Sequence, residues 1–294
     1  MRSSRQDRVF NTLNFVVLTV VLLLILYPLY LIVISSVSDP FEVSLGRVTL
    51  FPQGFTLIGY QTVLRDRSII TGYRNTVGYT TAGTFVNISF TLLAAYALSR
   101  KDLIGRNVLT KLIVFTMLFQ GGLIPTYMVV RRLGLLNSFG AMIWPNAVTV
   151  WNLIIARTFF RSTIPDELFE SARVDGCTNR RFFWSIALPL SPALVAVMVL
   201  FYGVWHWNSF FPALIYLSDE RRYPLQLVLR NILLLHEVSG MMETTDPAEL
   251  QELQRRAESV KYAAIIVASL PVLALYPFLQ RYFVKGVMIG AIKG

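Results

Sequence analysis

The segment between two long apolar runs near the middle of the chain carries the most informative spacing of polar and small side chains. It runs ESARVDG from Glu170 to Gly176, then nine residues, Ile186, one residue, and Leu188 with Pro189. The chemistry of this pattern is binding rather than bond making, because a carboxylate on a short helix that ends at a glycine forms an elbow that another protein can grip. The spacing therefore indicates a docking site on a membrane protein that is driven from outside.

The local sequence explains why an elbow should form. Pro165 suits the first turn of a helix, and the carboxylates of Asp166 and Glu167 follow it at the positive end of the helix dipole. Gly176 can adopt positive φ and end that helix, and Thr178 can cap the next one. On these grounds alone, the segment is also consistent with an ordinary helix-turn-helix between two spans.

One side of the predicted elbow helix is mainly apolar. At three- and four-residue spacing, this side carries Leu168, Phe169, Ala172 and Arg173. A phenylalanine that faces the cytosol requires a partner surface. We therefore expect a groove on another protein to receive this side.

Composition places the chain in a membrane. Hydrophobic residues make up 54% of the 294 residues and charged residues 15%, with a positive mean hydropathy, which is unusual for a soluble domain. Six apolar runs predict one all-α transmembrane domain over residues 1–294, with a cytoplasmic loop at 161–186, an exterior loop at 208–260 and a further exterior loop at 48–64. The predicted spans are about 13–37, 75–99, 112–130, 137–158, 187–207 and 262–281.

Charge at the amino terminus predicts the orientation. Arg2, Arg5 and Arg8 precede the first span and favour a cytoplasmic amino terminus. Six spans then place both termini in the cytoplasm. The net charge of +10 fits lipid-facing flanks rather than nucleic-acid binding, because no basic patch interleaved with aromatic residues is present. With one cysteine, Cys177, no internal disulfide is possible.

Several function classes lack their motifs. The predicted spans carry no acidic or basic side chain in their interiors, which disfavours an ion-coupled carrier. The sequence has no GxxxxGK[ST] phosphate loop and no HExxH or GxSxG motif, so any ATP must be hydrolysed by another subunit. His206 and His236 have no neighbours at metal-ligand spacing and are expected to be packed side chains rather than ligands. A membrane scaffold or assembly factor remains an alternative, and so does an ion-coupled carrier.

The elbow resembles the cytoplasmic loop of the integral-membrane permeases of bacterial ABC importers. That loop follows the pattern EAA, three residues, G, nine residues, I, one residue, LP, and Ser171 replaces the middle alanine here. Similarity extends along the chain through YPLYLIVISS, RNT with AAYALSR, FQGGLIPTY, WNSFF, YPLQLVLR and RYFVKGVMIGAIKG. The chain is thus similar to the maltose-type (carbohydrate uptake type 1) permeases, in particular the second-permease subunit of complex-oligosaccharide or alginate-type importers.

The resemblance implies a set of partners and contact residues. The partners are a second homologous permease, two ATP-binding subunits that hold ATP and Mg, and an extracytoplasmic solute-binding protein, in a bacterial plasma membrane; this chain has no cofactor, metal or catalytic residue of its own. It implies that the elbow helix couples ATP hydrolysis to alternating access through Phe169, Glu170, Ser171, Ala172, Asp175 and Gly176, with Phe169 and Ala172 filling a groove on the ATPase. The tail would reach the ATPase through Lys285, Gly286, Gly290, Lys293 and Gly294.

Candidates for the substrate path follow from the way that sugars are bound. Aromatic faces and neighbouring amides recognise sugars, and the candidate residues are Gln120, Tyr127, Asn146, Asn152, Trp205 and Asn208. Trp144 and Trp151 are seven residues apart and would share a face of a straight helix. An uncharged path favours a neutral sugar, although Arg131, Arg132 or a partner chain can meet an anionic uronate. In the exterior loop, Asp246, Pro247 and Glu249 predict a helix that could contact a partner.

Overall fold

The computed structural model describes residues 5–239, 260–274 and 277, and within these residues every regular element is helical. The α-helices are α1 Arg5–Ser36, α2 Pro40–Ser44, α3 Ile58–Arg65, α4 Arg67–Ser99, α5 Arg106–Leu118, α6 Leu123–Arg132, α7 Val150–Thr163, α8 Asp166–Val174, α9 Asn179–Phe182, α10 Pro192–Trp207, α11 Phe211–Tyr216, α12 Leu225–Ser239 and α13 Val260–Ala274. Short 3-10 turns cover Phe139–Met142, Trp144–Asn146 and Glu220–Arg222, and a π-helical turn covers Phe183–Ala187. The predicted all-α class is confirmed for this part of the chain.

Two of the described helices are long and apolar enough to cross a membrane unaided. They are Asp7–Ser36 within α1, and α4. Three further pairs of consecutive helices pass the same test together but are bent, so the described residues provide up to five spans. The expectation of six spans stays a prediction, because α13 is described only as far as Ala274.

The region of the third predicted span, 112–130, is not one straight helix. Helices α5 and α6 meet at an angle of 114°, and the break falls at residues 119–122. Gly122, the N-cap residue of α6, has φ of 84° and ψ of 179°, a conformation that glycine adopts without a Cβ penalty. The following Pro125 lies in the first turn of α6, where its missing N–H is tolerated.

The region of the fourth predicted span, 137–158, is also broken. The 3-10 segment Phe139–Asn146 and α7 are bent by 54°. Trp144 lies before this break and Trp151 after it, so the expectation that they share a face of one helix is wrong. Both indole side chains are exposed.

The described residues fall into two compact units, one drawn from Met1–Ile69 and Leu229–Leu270 and the other from Ile70–Val228 and Pro271–Gly294. In the first unit, the segment predicted as an exterior loop at 48–64 contains most of α3. The Tyr30 hydroxyl donates to the Leu50 carbonyl at 2.5 Å, and Ser36 Oγ lies 2.8 Å from the Tyr60 hydroxyl. These bonds hold the segment to the end of α1.

The core of the second unit is aromatic and lies between α4, α7 and the elbow. Its fully buried rings include Phe160, Phe182 and Tyr202. Tyr96 of α4 packs at ring-centre distances of 5.1 to 6.4 Å from Phe160, Phe182 and Phe183. The carboxyl-terminal ends of α4 and α7 are therefore joined to the elbow by one packed cluster.

Candidate docking site

The elbow helix α8 begins and ends where the sequence predicts. Pro165 takes the extended conformation of an N-cap residue, and Asp166 and Glu167 form the first turn. At the other end Gly176 has φ of 75°, its N–H donates to the Arg173 carbonyl at 3.0 Å, and the Cys177 N–H donates to the Ala172 carbonyl at 2.9 Å. This paired arrangement is a Schellman motif, which satisfies carbonyls that a helix end otherwise leaves without donors.

The second arm of the elbow starts with a side-chain cap. Thr178 Oγ1 accepts a hydrogen bond from the Arg181 N–H at 3.3 Å, as predicted. Helix α9 and the π-helical turn Phe183–Ala187 follow, and the path from α9 into α10 bends by 87°. Because Phe182, Phe183 and Ala187 are buried, this arm is part of the core and not a free loop.

The two faces of α8 have different environments. Phe169 is 3% exposed and Ala172 8% exposed, so both side chains are buried within the chain itself. The expectation that they fill a groove on another protein is therefore corrected: packing against the chain's own core removes their apolar surface from water. The opposite face is exposed over two turns and consists of Glu167, Glu170, Ser171 and Val174.

Val174 is the one exposed large apolar side chain on α8, at 89% exposure. It follows Glu170 by four residues, so the two lie on the same face. Sequence analysis did not single out Val174 or Glu167 as contact residues. Glu167, Glu170, Ser171 and Val174 stand at i, i+3, i+4 and i+7, which is the spacing of one helix face. This spacing identifies the outward face once the apolar side is assigned to the core.

Charged groups at the end of α4 hold the start of α8. Lys101 Nζ lies 2.6 Å from Asp166 Oδ2, and Arg100 Nη1 lies 3.8 Å from Asp166 Oδ1. The hydrogen bond from Lys101 lowers the pKa of the Asp166 carboxyl below its usual value, and the charges of Lys101, Arg100 and Arg161 act in the same direction. Asp166 is therefore ionised at neutral pH.

The ring of Phe169 lies between an aromatic partner and a cation. The Phe182 ring packs edge-on at 5.1 Å, and the guanidinium carbon of Arg100 lies 3.5 Å from the ring centre. The nearby Arg157 Nε donates to the Leu98 carbonyl at 3.0 Å, which ties α7 to the end of α4. A displacement of α8 must therefore displace the ends of α4 and α7 as well.

The six predicted path residues are spread over three parts of the chain. Asn152 is buried, Asn146 and Tyr127 are half-buried, and Gln120, Trp205 and Asn208 are exposed. Tyr127 stacks on Tyr216 at 6.4 Å. Within the described residues no hydrogen bond or ring contact joins any two of the six, so the structure does not assemble them into one site.

No protein-family model matches the sequence. Over 294 residues the chain is 40% identical to Protein LplC of Bacillus subtilis (strain 168), covering 100% of this chain and 98% of LplC. It is 39% identical over 294 residues to the polygalacturonan/rhamnogalacturonan transport system permease protein YtcP of the same strain, covering 98% and 100%.

A solved structure agrees with these relatives. A chain of a bacterial ABC transporter involved in the import of the acidic polysaccharide alginate superimposes with a TM-score of 0.86 at 32% identity, covering 96% of this chain and 99% of that chain. The chain belongs to the maltose-type permeases of ABC importers. This permease is thus a membrane transport subunit and not an enzyme, and its family works with ATPase and binding-protein subunits.

The permease also contains a buried polar network that sequence analysis missed. Asn87 Nδ2 donates to the Asn146 carbonyl at 2.6 Å, and Asn87 Oδ1 lies 2.6 Å from His206 Nε2. His206 is a packed side chain, as predicted. Gly83 makes this possible, because a Cβ at that position would overlap the His206 ring. An asparagine and a histidine 119 residues apart in sequence carry no local signal that they pair.

Some predicted contacts of the permease lie outside the described residues. These are the tail residues Lys285, Gly286, Gly290, Lys293 and Gly294, and the exterior helix expected from Asp246, Pro247 and Glu249. The side chain of His236 lies outside them as well. Among the residues that the structure does describe, no group of three or more His, Cys, Asp or Glu side chains is placed to hold a metal ion.

Proposed function

We propose that this permease pairs with a homologous second permease, two ATP-binding subunits and an extracytoplasmic solute-binding protein to import an acidic oligosaccharide across the bacterial plasma membrane. It has six spans, both termini lie in the cytoplasm, and ATP and Mg bind to the partner ATPases. The proposal rests on the two faces of α8: the apolar side is buried within the chain, and the opposite, mainly polar side is exposed.

The exposed face of α8 is the contact with the ATPase. Val174 enters a shallow apolar depression on the partner, and Glu170 pairs with a cation beside it. A valine that is 89% exposed and lies one helical turn from a carboxylate fits the usual interface pattern of an apolar centre with a polar rim. Gly176 and Asp175 shape the turn that presents this face, and Ser171 lies within it.

Coupling then follows from the rigid attachment of α8. Closure of the two ATPases on ATP moves α8, and the contacts of Asp166 and Phe169 with Lys101 and Arg100 transmit this displacement to α4. The packed ring cluster transmits it to α7. ATP can drive the change because it binds one state of the ATPase pair more tightly than the other.

The acidic character of the substrate is supported by two relatives. YtcP is described as a polygalacturonan/rhamnogalacturonan permease, and the superimposed transporter imports the acidic polysaccharide alginate. Polygalacturonan and alginate are both polymers of uronic acids. Arg131 and Arg132 at the end of α6 are exposed cations that can meet uronate carboxylates. A neutral oligosaccharide is the second candidate, favoured by the permease named for arabinooligosaccharides at 27% identity.

The test is reconstitution of the complex that co-purifies with the tagged chain in proteoliposomes. ATP hydrolysis and uptake are measured with oligogalacturonate, oligoalginate and arabinooligosaccharide, each with the binding protein. We expect an acidic oligosaccharide to stimulate ATP hydrolysis and to accumulate. The substrate class is wrong if only the neutral sugar is transported, and the importer assignment is wrong if uptake depends on an ion gradient and not on ATP.

A charge reversal tests the docking helix. Glu170→Lys should abolish stimulated hydrolysis while the protein still reaches the membrane, because it places a cation opposite the partner's cation. The matched control is Glu220→Lys, which reverses an exposed carboxylate in a 3-10 turn far along the chain from α8. Equal transport by the Glu170→Lys variant and the control would exclude α8 as the contact.

A further inference from the structure

A cavity of about 170 Å³ lies where the carboxyl-terminal ends of α4 and α7 meet the start of α8. Its polar lining consists of Tyr96, Ser99, Arg100, Lys101, Arg161 and Asp166. Three of these side chains are cations and one is a carboxylate. The proposed coupling does not use the interior of this cavity.

Arg100 is a partly buried cation whose Nε has no hydrogen-bond partner. Its side chain is 14% exposed, and its Nε is buried with no hydrogen-bond partner. The nearest carboxylate oxygens belong to Asp102 at 3.5 Å and Asp166 at 3.8 Å, longer than the roughly 2.7–2.9 Å of a charge-assisted hydrogen bond. Leaving that buried Nε–H donor without a partner is unfavourable.

Tyr96 gives a second and independent indication. Its side chain lines the cavity and is 8% exposed, and its hydroxyl is buried without a hydrogen-bond partner. Buried tyrosine hydroxyls normally find a partner. Arg161 supplies a further cation to the cavity lining. No described residue forms an ion pair with Arg161, whereas Lys101 already contacts Asp166.

We propose that this cavity binds a phosphate group through the Arg100 and Arg161 guanidinium groups and the Tyr96 hydroxyl. A phosphate offers several acceptor oxygens directed to different sides, which matches donors that come from the end of α4 and from α7 at once. Lys101 neutralises Asp166, so the carboxylate does not repel the anion. The cavity has room for a phosphate group.

The phosphate has two possible sources. The cavity lies at the ends of two helices assigned to the membrane, which is the depth of lipid headgroups, so an anionic phospholipid can supply it. Free inorganic phosphate is the other source. The site does not depend on the importer assignment, because binding can be measured without transport.

The test is the thermal unfolding midpoint of the full chain in detergent, titrated with three probes. These are inorganic phosphate, dioctanoyl phosphatidylglycerol and, as the lipid without a phosphate group, dioctanoylglycerol. A ligand of the native state raises the midpoint in a saturable manner. A shift with phosphatidylglycerol but not with free phosphate identifies a lipid headgroup, and a shift with free phosphate identifies the soluble anion. The proposal is overturned if neither raises the midpoint, or if dioctanoylglycerol acts as strongly as phosphatidylglycerol.

Two conservative variants locate the site. Tyr96→Phe keeps the packed ring and removes only the hydroxyl, and Arg161→Gln changes an exposed side chain, so both should fold. Without a probe, Tyr96→Phe should not lower the midpoint, because the lost hydroxyl has no partner in the free protein. Each variant should raise the half-saturating probe concentration about tenfold, the effect of losing one hydrogen bond to an anion. Arg180→Gln, an exposed arginine in α9 outside the cavity, is the control. Unchanged half-saturation in both cavity variants would overturn the proposal.

Discussion

The guanidinium carbon of Arg100 lies 3.5 Å from the centre of the Phe169 ring. Arg100 directly follows α4, and Phe169 is on the inward side of α8, so this cation–π contact joins a membrane-length helix to the elbow. Cation–π contacts of desolvated groups contribute about 2 kcal/mol. The Phe169 ring thus holds the elbow to its own chain, although the sequence predicted that this ring fills a groove on a partner.

Removal of the Phe169 ring should loosen the elbow. Phe169→Ala leaves a cavity between Arg100 and Phe182, and such truncations of a buried ring cost about 3–5 kcal/mol. Because the helix has nine residues, the loss should appear as local opening and as ATP hydrolysis that no longer yields transport. Hydrogen exchange of residues 166–174 and the ratio of sugar imported to ATP hydrolysed measure these effects. Phe85→Ala removes a 73% exposed ring of α4 and is the control; equal exchange in both variants would contradict the prediction.

Val174 should affect assembly without affecting stability. Val174→Asp places a charge at the centre of the proposed contact while the side chain stays in water in the isolated chain. We expect retention of the ATPase during co-purification to fall at least tenfold, or about 1.4 kcal/mol, with the unfolding midpoint unchanged. Ser162→Asp, an exposed position near the end of α7, should retain the ATPase. Full retention by Val174→Asp would exclude this face as the interface.

Two glycines of α4 form a matched pair. Gly83→Ala places a methyl group against the His206 ring, whereas the nearest atom to a Cβ at position 78 is Phe139 Cε2 at 3.6 Å, an ordinary contact. Gly83→Ala should destabilise the chain by about 1–3 kcal/mol through overpacking. Gly78→Ala should be neutral or stabilising by about 0.5–1 kcal/mol, because alanine favours the helix. Unfolding midpoints in detergent measure both, and similar midpoints would show that the His206 ring is not held where the structure places it.

Acid should remove the contribution of the Asp166 contact. The hydrogen bond from Lys101 lowers the pKa of Asp166, so the ionised carboxylate stabilises the fold. This contribution is fully present above the unfolded pKa of about 3.9 and disappears as the pH falls through the lower folded value. Because the pair is partly exposed, Asp166→Asn should cost at most about 1 kcal/mol at pH 7. The difference between wild type and variant should be constant from pH 5 to pH 8 and should vanish in strong acid; a difference that changes between pH 6 and pH 8 would assign the effect to another group.

The elbow was predictable because its signals are local. Proline at the start, two carboxylates after it, and a glycine at the end each act within a few residues, and α8 begins and ends accordingly. The direction of its apolar side was not predictable in the same way. A periodic stripe shows that Phe169 must be buried, but burial by the chain and burial by a partner leave the same pattern in the sequence.

The breaks in the predicted spans, in contrast to the elbow, were not predicted. The Gly121–Gly122 pair followed by Pro125 is a local signal for a break, yet apolar composition alone predicted one continuous span there. The bend before α7 and the π-helical turn at Phe183–Ala187 depend on packing of distant elements. For the same reason the Asn87–His206 pair, which joins α4 to α10, leaves no trace in the local sequence.

The burial of Phe169 inside its own chain has a consequence for biogenesis. A docking helix that relied on the ATPase to cover its ring would expose that ring to chaperones and proteases until the partner arrived. Here the subunit itself covers the ring, and Val174 is the one large apolar side chain of α8 that is exposed. The membrane subunit can therefore fold before the ATPase binds, so the order of synthesis of the two need not be fixed.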